Sequence, residues 1–182
     1  MPVKSLCSFE VLAQPVAPGV ADIPYAQQGF FTQITNLGSA AASVQLLYNS
    51  TPAFVVQNGA VKLLVNQIDG TGTITQISPA FFIEPPVGFT VNIPAAATWL
   101  IGVQYLLLPP PAPTTTPAGG STPQDSQAAR GLFEISAATG TNLLVQATIR
   151  QVFYNYGPSG ALLNYAEGAY ALPLIGGPQQ QF

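Results

Sequence analysis

The longest regular pattern of apolar and polar positions lies in residues Asn142–Tyr156, NLLVQATIRQVFYNY. In its first half every second residue is apolar, namely Leu143, Val145, Ala147 and Ile149. Side chains alternate between the two faces of a β-strand, so this period of two predicts a strand with one buried face. The alternation slips at Gln151, where we expect either a β-bulge or a strand that passes from one sheet to another.

Similar alternating runs recur along most of the chain, separated by glycine, proline and asparagine turns. We count about nine to eleven short candidate strands, and no stretch with a helical period lasts longer than about two turns. The sequence therefore predicts an all-β fold, a β-sandwich or jelly roll. Its predicted core comprises Phe89, Val91, Trp99, Ile101, Val103, Phe133, Ile135, Val145, Ala147 and Ile149.

Turn residues at 36–39 and 139–141 predict two hairpins. Each would pair the strand before it with the strand after it, which makes residues 130–137 the partner of Asn142–Tyr156. Residues 69–72, DGTG, could in principle hold a phosphate or a calcium ion. A strand-like run follows this motif at once and its aspartate stands alone, so the motif predicts a plain turn.

A chain of 182 residues is large enough for one continuous core, which we expect in a single domain at residues 29–176. Residues 1–28 form an N-terminal extension, and residues 177–182 form a polar tail that we expect to be mobile or docked on a partner. Residues 109–127, PPPAPTTTPAGGSTPQDSQ, are too rich in proline, threonine and glycine to bury a core. They predict an exposed loop inserted between two strands.

The N-terminal extension carries a candidate strand, and Pro15, Pro18 and Gly19 separate this strand from the body of the domain. Proline fixes the backbone angle φ and withholds a hydrogen-bond donor, so the spacer interrupts regular structure. The strand then either folds back as an edge strand of its own domain or acts as an arm that adds to a neighbouring subunit's sheet. In the second case, deletion of residues 1–18 would leave a folded monomer.

Charged side chains make up only 6% of the residues, whereas roughly a quarter is usual. The net charge is −3 and the four basic residues do not cluster, which argues against nucleic acid and anionic membranes as partners. The apolar run at 99–108 is too short to span a bilayer, and residues 1–10 lack the apolar centre of a secretory signal. A neutral polar surface opposes contact weakly, so we expect self-association, with a monomer as the alternative.

The chain has no histidine and a single cysteine, Cys7, so it lacks the usual general base and cannot form an internal disulfide. Cys7 is either an incidental residue or one half of an interchain disulfide. Glu84 and Glu134 are the best placed acids for acid–base catalysis, but the sequence does not establish a positioned pair. Arg150 is expected to pair with Glu134 across neighbouring strands. We therefore predict a protein that is not an enzyme and binds no cofactor or metal.

These features together predict a structural function. We expect a self-assembling subunit of an extracellular filament, sheath, coat or capsid, located outside the cell or on a particle surface, with itself as the partner. The candidate assembly interface comprises Leu6, Cys7, Phe9, Val11, Leu106 and Leu108. The first four lie in the N-terminal strand, and the last two end a strand that is apolar on both faces.

With Cys7 in a leading segment before the β-rich body, the layout resembles bacterial appendage subunits such as the spore appendage proteins. The resemblance implies an N-terminal connector followed by a jelly-roll body. The alternative function is that of a carbohydrate-binding module, in which exposed aromatic residues such as Tyr154 and Tyr156 would stack against a glycan. A structural subunit would elute as a polymer or ring, and a binding module as a monomer with glycan affinity. An enzyme is disfavoured by the lack of histidine and the shortage of acids.

The predicted loop at 109–127 yields a first testable prediction. Limited proteolysis of the native protein should cut this loop before any strand, because an exposed polar loop is a preferred site of cleavage. Shortening the loop should change the melting temperature little, since the entropy of loop closure varies slowly with length. Mass spectrometry of the first fragments and a thermal melt test this. A large loss of melting temperature would mean that the segment packs on the body.

Overall fold

The computed structural model describes residues 1–15, 25–50, 62–78, 87–106, 127–156 and 162–182. These residues form eleven β-strands and no helix. The strands are β1 Val3–Pro15, β2 Tyr25–Asn36, β3 Ala42–Ser50, β4 Lys62–Ile68, β5 Ile74–Ser78, β6 Val87–Ile93, β7 Thr98–Leu106, β8 Gln127–Ala137, β9 Asn142–Tyr156, β10 Leu162–Leu172 and β11 Gln179–Gln181. All described strand pairs are antiparallel. The prediction of an all-β fold is confirmed.

Strand β2 is the branch point of the sheet. Strand β9 pairs with β2 along the whole length of β2. On the opposite side of β2 two strands share the length, because β1 pairs with residues 25–28 and β7 pairs with residues 30–35. The sheet therefore divides at β2. We call β1, β8, β3 and β6 the first arm, and β2, β7, β4, β5, β9, β10 and β11 the second arm.

The two arms pack face to face through a cluster of aromatic rings. The ring centroid of Phe30 in the second arm lies 6.0 Å from that of Phe9, 6.0 Å from that of Tyr48 and 5.1 Å from that of Phe133. These three partners belong to the first arm, and all four side chains are buried. Tilted and edge-on ring pairs add about 0.5–1.5 kcal/mol each beyond the burial of their area. Two sheets whose inner faces interdigitate in this way form a β-sandwich.

The predicted core residues lie in this interior. Val91, Ile101, Val103, Phe133, Ile135, Val145, Ala147 and Ile149 are buried, and Phe89 and Trp99 pack against them partly buried. Leu143, the first apolar residue of the alternating run in β9, is also buried. The alternation in the sequence thus identified the inward face of β9 correctly.

Both predicted hairpins are wrong, because the strands beside the two turns pair elsewhere. Strand β3 pairs with β6 and β8, whereas β2 pairs with β1, β7 and β9. Strand β8 pairs with β1 and β3, whereas β9 pairs with β2, β10 and β11. Each turn therefore carries the chain from one arm to the other. Turn residues show that the chain reverses, but not whether the two strands then share backbone hydrogen bonds or face each other across the core.

The buried side chain of Asn36 holds the crossover between β2 and β3. Its Nδ2 donates to the carbonyl oxygens of Ala40 at 2.8 Å and Ile93 at 3.1 Å. Its Oδ1 accepts the Gly38 N–H at 2.9 Å. Since Gly38 and Ala40 belong to this crossover and Ile93 ends β6, one amide joins two neighbouring connections. Asn36 marked a turn in the sequence, and the structure adds its role in tertiary packing.

The predicted turn at 69–72 is confirmed as the connection between β4 and β5. The Asp69 carboxylate accepts the N–H groups of Thr71 at 2.8 Å and Thr73 at 3.0 Å. Hydrogen bonds from the side chain and backbone of Thr71 hold the pKa of Asp69 below its usual value. The carboxylate thus satisfies the donors of its own turn, as aspartate commonly does at such positions.

The irregularity expected at Gln151 lies in other strands. Strand β9 keeps an unbroken register with β2 from Leu143 to Tyr154. The register shifts instead in β10, which pairs with β9, and in β1 between Ser5 and Cys7. The shift in β1 places one extra residue in the strand, so that the consecutive Leu6 and Cys7 are both buried.

The two chain ends form part of the sandwich. Strand β1 lies between β8 and β2 in the sheet order, so it is neither an edge strand nor a free arm. Strand β11 in the tail pairs with the first residues of β9, and the Phe182 N–H donates to the Thr141 carbonyl at 2.9 Å. The Ile175 N–H donates to the carbonyl of Leu6 at 2.8 Å, which links the two ends. The tail is therefore docked on its own chain.

The position of β1 generates a prediction opposite to the one made for an arm. Deleting residues 1–15 should unfold the protein, because the deletion removes Leu6, Phe9 and Val11 from the core. Removal of one large buried side chain costs about 2–5 kcal/mol, against a total stability of about 5–15 kcal/mol. Circular dichroism melts test this, with deletion of Met1 and Pro2, which precede β1, as the control. A cooperative melt of the longer deletion would contradict it.

Candidate functional site

The N-terminal residues of the predicted assembly interface lie in the core. Leu6 and Val11 are fully buried, Phe9 is nearly so, and Cys7 is 8% exposed. These side chains belong to the same cluster as the aromatic rings of the two arms. They stabilise their own domain, so a neighbouring subunit could reach them only if β1 left the sandwich.

The other predicted residues are described only in part. Leu106 is the last residue of β7, and Tyr154 and Tyr156 lie near the end of β9. The structure describes the backbone pairing of these three but not the positions of their side chains. Leu108 and Glu84 lie outside the described residues. Roles in assembly, glycan stacking or catalysis for these five residues stay predictions.

Cys7 is enclosed between the arms. Burial raises the pKa of its thiol to about 11. The thiolate is the species that attacks disulfides and alkylating reagents, so a buried thiol with a raised pKa reacts slowly. This environment favours an incidental buried thiol over one half of an interchain disulfide.

Glu134 and Arg150 do not form the expected pair. The Glu134 carboxylate accepts a hydrogen bond from Ser5 Oγ at 2.7 Å and another from the side-chain amide of Asn49. Arg150 lies over the ring of Phe31, with 4.5 Å between its guanidinium carbon and the ring centroid. The pair was expected because β8 and β9 were predicted to be neighbours. They belong to different arms, which separates the two side chains.

Two glycines provide the space for Phe31 on the surface of the second arm. A Cβ atom at Gly102 would lie 2.5 Å from Cε1 of Phe31, and one at Gly29 would lie 2.7 Å from its Cε2. Any larger residue would therefore displace the ring. With the glycine backbone on one side and Arg150 over it, this ring has no free face for stacking a ligand.

A cleft of about 690 Å³ opens between β1 and β8 of the first arm and β9 and β10 of the second. Its lining includes Glu10, Arg130, Leu132, Tyr170 and Leu172. We call it the Tyr170 cleft. Small-ligand sites commonly have volumes of roughly 300–1,000 Å³ and combine apolar walls with a few placed polar groups. The cleft has both properties.

Tyr170 lies on the inward face of its sheet and is nevertheless 49% exposed. It pairs directly with the core residue Ile149, and residues opposite each other in an antiparallel pair turn to the same face. Its hydroxyl donates to Oε1 of Gln151 at 2.8 Å. Gly168 lies beside the ring, and a Cβ there would make ordinary contact with Cε1 of Tyr170 at 3.9 Å. The ring is thus held in one orientation with half of its surface open.

A hydrogen-bonded carboxylate lines another part of the cleft. Oε1 of Glu10 lies 2.8 Å from Nη2 of Arg130, and Oε2 accepts a hydrogen bond from Nε2 of Gln28 at 3.3 Å. The same amide donates to the Glu10 carbonyl at 3.3 Å, and Gln28 is only 8% exposed. The Arg130 side chain is 66% exposed, so this ion pair stabilises the fold little, by about 0–1 kcal/mol. Both charged groups line the cleft.

No pattern in the sequence identified Tyr170, Gln28 or the pair of Glu10 and Arg130 as site residues. A weak signal was present in residues 168–171, GAYA, where one aromatic residue stands among small ones. The cleft could not be read from this signal, because its walls come from strands that are distant in the sequence.

The part of the chain that the structure describes contains no group of three or more histidine, cysteine, aspartate or glutamate side chains that could hold a metal ion. It also contains no helix with the length and apolar character needed to cross a membrane. In the Tyr170 cleft, one carboxylate beside a guanidinium suits hydrogen bonding rather than ligation of a cation, which requires several oxygen ligands.

Comparisons with known proteins give no family. No protein-family model matches the chain, and no curated protein sequence matches it. Among solved structures the chain is similar to the Clostridium perfringens delta-toxin, with a TM-score of 0.24 and 8% identity over 92% of this chain and 77% of that chain. A similarity at this level carries no information on what this chain does.

The environment of Cys7 generates a prediction for thiol chemistry. At pH 8 the native protein should react with iodoacetamide at least about a hundredfold more slowly than the denatured protein. A rise in pKa from 9.0 to about 11 leaves less thiolate at that pH, and burial restricts access further. Mass spectrometry of timed samples measures both rates. The Cys7→Ser/Ser8→Cys variant, with its thiol at an exposed position of the same strand, is the control and should react fast while folded. Equal rates for native and denatured wild type would contradict the burial of Cys7.

Proposed function

We propose that this chain is a self-assembling structural protein, the subunit of a homopolymer such as an extracellular filament, sheath, coat or capsid. Its partner is a second copy of the same chain, and the function needs no cofactor. The bacterial appendage subunits that the sequence layout resembles are the nearest analogy. One difference matters, because β1 belongs to its own core and the joining surface must lie elsewhere.

Most of the described charged side chains make contacts within their own chain, so few of them are left to repel a second copy. Glu10 pairs with Arg130, Arg150 lies on Phe31, Asp69 and Glu134 accept internal hydrogen bonds, and Lys4 lies 5.0 Å from the centroid of the Phe182 ring. The outer face of β2 and β9 presents amides instead, since Gln33 and Gln146 are exposed cross-strand neighbours. A face of this kind carries no charge that would repel a second copy.

The edge at β6 is the observation that carries the proposal. Among the described residues β6 pairs with β3 alone and ends the sheet order. Its sequence, VGFTVNI, contains no charged residue and no proline, the two residue classes that commonly block pairing at natural edges. By contrast, β10 carries Glu167 and a register shift, and β5 has only 5 residues. Of these edges β6 is the least protected.

Strand addition at β6 would extend the sheet without disturbing the core. Val91 and Ile93 already turn inward, whereas Gly88, Thr90 and Asn92 are exposed. An incoming strand would form backbone hydrogen bonds along this edge, which provides adhesion that does not depend on charge. The edge of one copy would meet a different surface on the next copy. Such heterologous contacts produce filaments, or rings if the rotation closes.

A lysine placed on this edge tests the proposal. Thr90→Lys should convert the assembled protein to a monomer, because an ammonium group on an edge strand opposes an incoming strand. Gln146→Lys adds the same charge at an exposed position of β9, an inner strand, and should leave assembly intact. Light scattering after size-exclusion chromatography and negative-stain images of both variants and wild type provide the measurement.

Two results would count against this reading. Wild type that elutes as a monomer at every concentration would overturn the structural function. Equal dissociation of both lysine variants would place the contact on the sheet faces rather than on the β6 edge. Melting curves of the variants show whether each one remains folded.

A further inference from the structure

We propose that the Tyr170 cleft is a binding site for a neutral saccharide. This inference is independent of assembly, since it concerns a cleft between β1, β8, β9 and β10 rather than the β6 edge. It also differs from the sequence-based glycan hypothesis, which relied on Tyr154 and Tyr156.

The ring of Tyr170 supplies the apolar half of the recognition. Its open surface faces a cleft whose walls include Leu132, Leu172 and Ile149. The hydrogen bond of 2.8 Å from its hydroxyl to Gln151 fixes the ring before any ligand arrives. A group that is already ordered loses little conformational entropy on binding, so such a platform favours affinity. A pyranose ring has one face of C–H groups that can pack on an aromatic ring of this kind.

The polar half of the recognition comes from Glu10, Arg130 and Gln28. The described ion pair engages one nitrogen of Arg130, and a guanidinium has five N–H donors in a fixed fork. The Glu10 carboxylate is held by Arg130 and Gln28 and can accept further hydrogen bonds through its remaining lone pairs. Donors and acceptors fixed side by side match the adjacent hydroxyl groups on the rim of a sugar.

The charge of the cleft indicates a neutral ligand. One carboxylate and one guanidinium cancel, and the other side chains that line the cleft are uncharged. An anionic glycan would therefore find no excess of positive charge, and a cationic ligand no excess of negative charge. Apolar walls, an oriented aromatic ring and a balanced polar network together fit a ligand with C–H faces and hydroxyl edges, which describes a neutral saccharide.

Titration with defined sugars tests the site. The probes are soluble hexasaccharides of glucose, mannose, xylose and N-acetylglucosamine, followed by chemical shifts of the protein amides. We expect saturable binding of at least one probe, with shifts concentrated at Tyr170, Glu10 and Arg130. Two further probes test other occupants. One is a uronic acid oligosaccharide, and the other is a peptide of residues 109–113, the proline-rich sequence PPPAP, because a polyproline segment can also dock on an aromatic ring.

Matched variants assign the contribution of each group. Tyr170→Ala should weaken saccharide binding at least about tenfold, since the variant loses the aromatic surface that a bound sugar would cover. Tyr170→Phe keeps the ring but loses the hydrogen bond to Gln151, so it should weaken binding less than Tyr170→Ala does. Glu10→Gln breaks the ion pair and should also weaken binding. Ile175→Ala removes another exposed apolar side chain, 64% exposed and absent from the cleft lining, and should bind as wild type does.

Three results would overturn the proposal. The first is no saturable binding of any neutral hexasaccharide. The second is binding that Tyr170→Ala leaves unchanged while its melting curve matches wild type. The third is tighter binding of the uronic acid oligosaccharide or of the proline-rich peptide than of every neutral sugar. Because Thr90→Lys lies outside the cleft, repeating the titration on that variant separates the failure of this site from the failure of assembly.

Discussion

Strand β2 has to satisfy three partners at once, and the rest of the structure depends on that constraint. Strand β9 takes one side of it, and β1 and β7 divide the other side. The sheet therefore divides and folds at β2, which brings Phe30 against the rings of Phe9, Tyr48 and Phe133. Burial of one such side chain contributes about 1.5–3 kcal/mol, a substantial part of a domain's net stability of about 5–15 kcal/mol. The fold at β2 and the aromatic cluster thus stabilise each other.

This arrangement limits where the proposed assembly could occur. A strand that contributes Leu6, Phe9 and Val11 to the aromatic cluster cannot also serve as an arm without dissolving the core. The surfaces left for contact are strand edges and outer faces, and these carry few free charges. The same scarcity of charge that suggested self-association in the sequence has a structural counterpart, because the described charged groups mostly serve turns, ring contacts and one ion pair.

The Tyr170 cleft follows from the divided sheet as well. The inward face of β10 carries Tyr170 opposite Ile149, but the first arm covers Ile149 and leaves Tyr170 half open. The cleft is therefore a region where the inner face of the second arm extends beyond the first arm. The Glu10 and Arg130 pair in the first arm adds polar groups at the same place. If both proposals hold, a protein with few charges and an oriented aromatic ring at this position combines a structural role with recognition of an uncharged polymer.

The sequence by itself determined the all-β class, most of the described strands, the inward face of β9, the turn at residues 69–72 and the low charge. These properties depend on local periodicity and composition, which each segment carries alone. Only the tertiary structure decided that the turns at 36–39 and 139–141 cross between arms, that β1 lies inside the sheet, and that Tyr170 is uncovered. The roles of Tyr170, Gln28, Glu10 and Arg130 in the cleft were not predicted. The physical reason is that strand pairing and the burial of a face depend on segments that are distant in the sequence. A turn or an alternating strand has the same local pattern whichever partner it packs against.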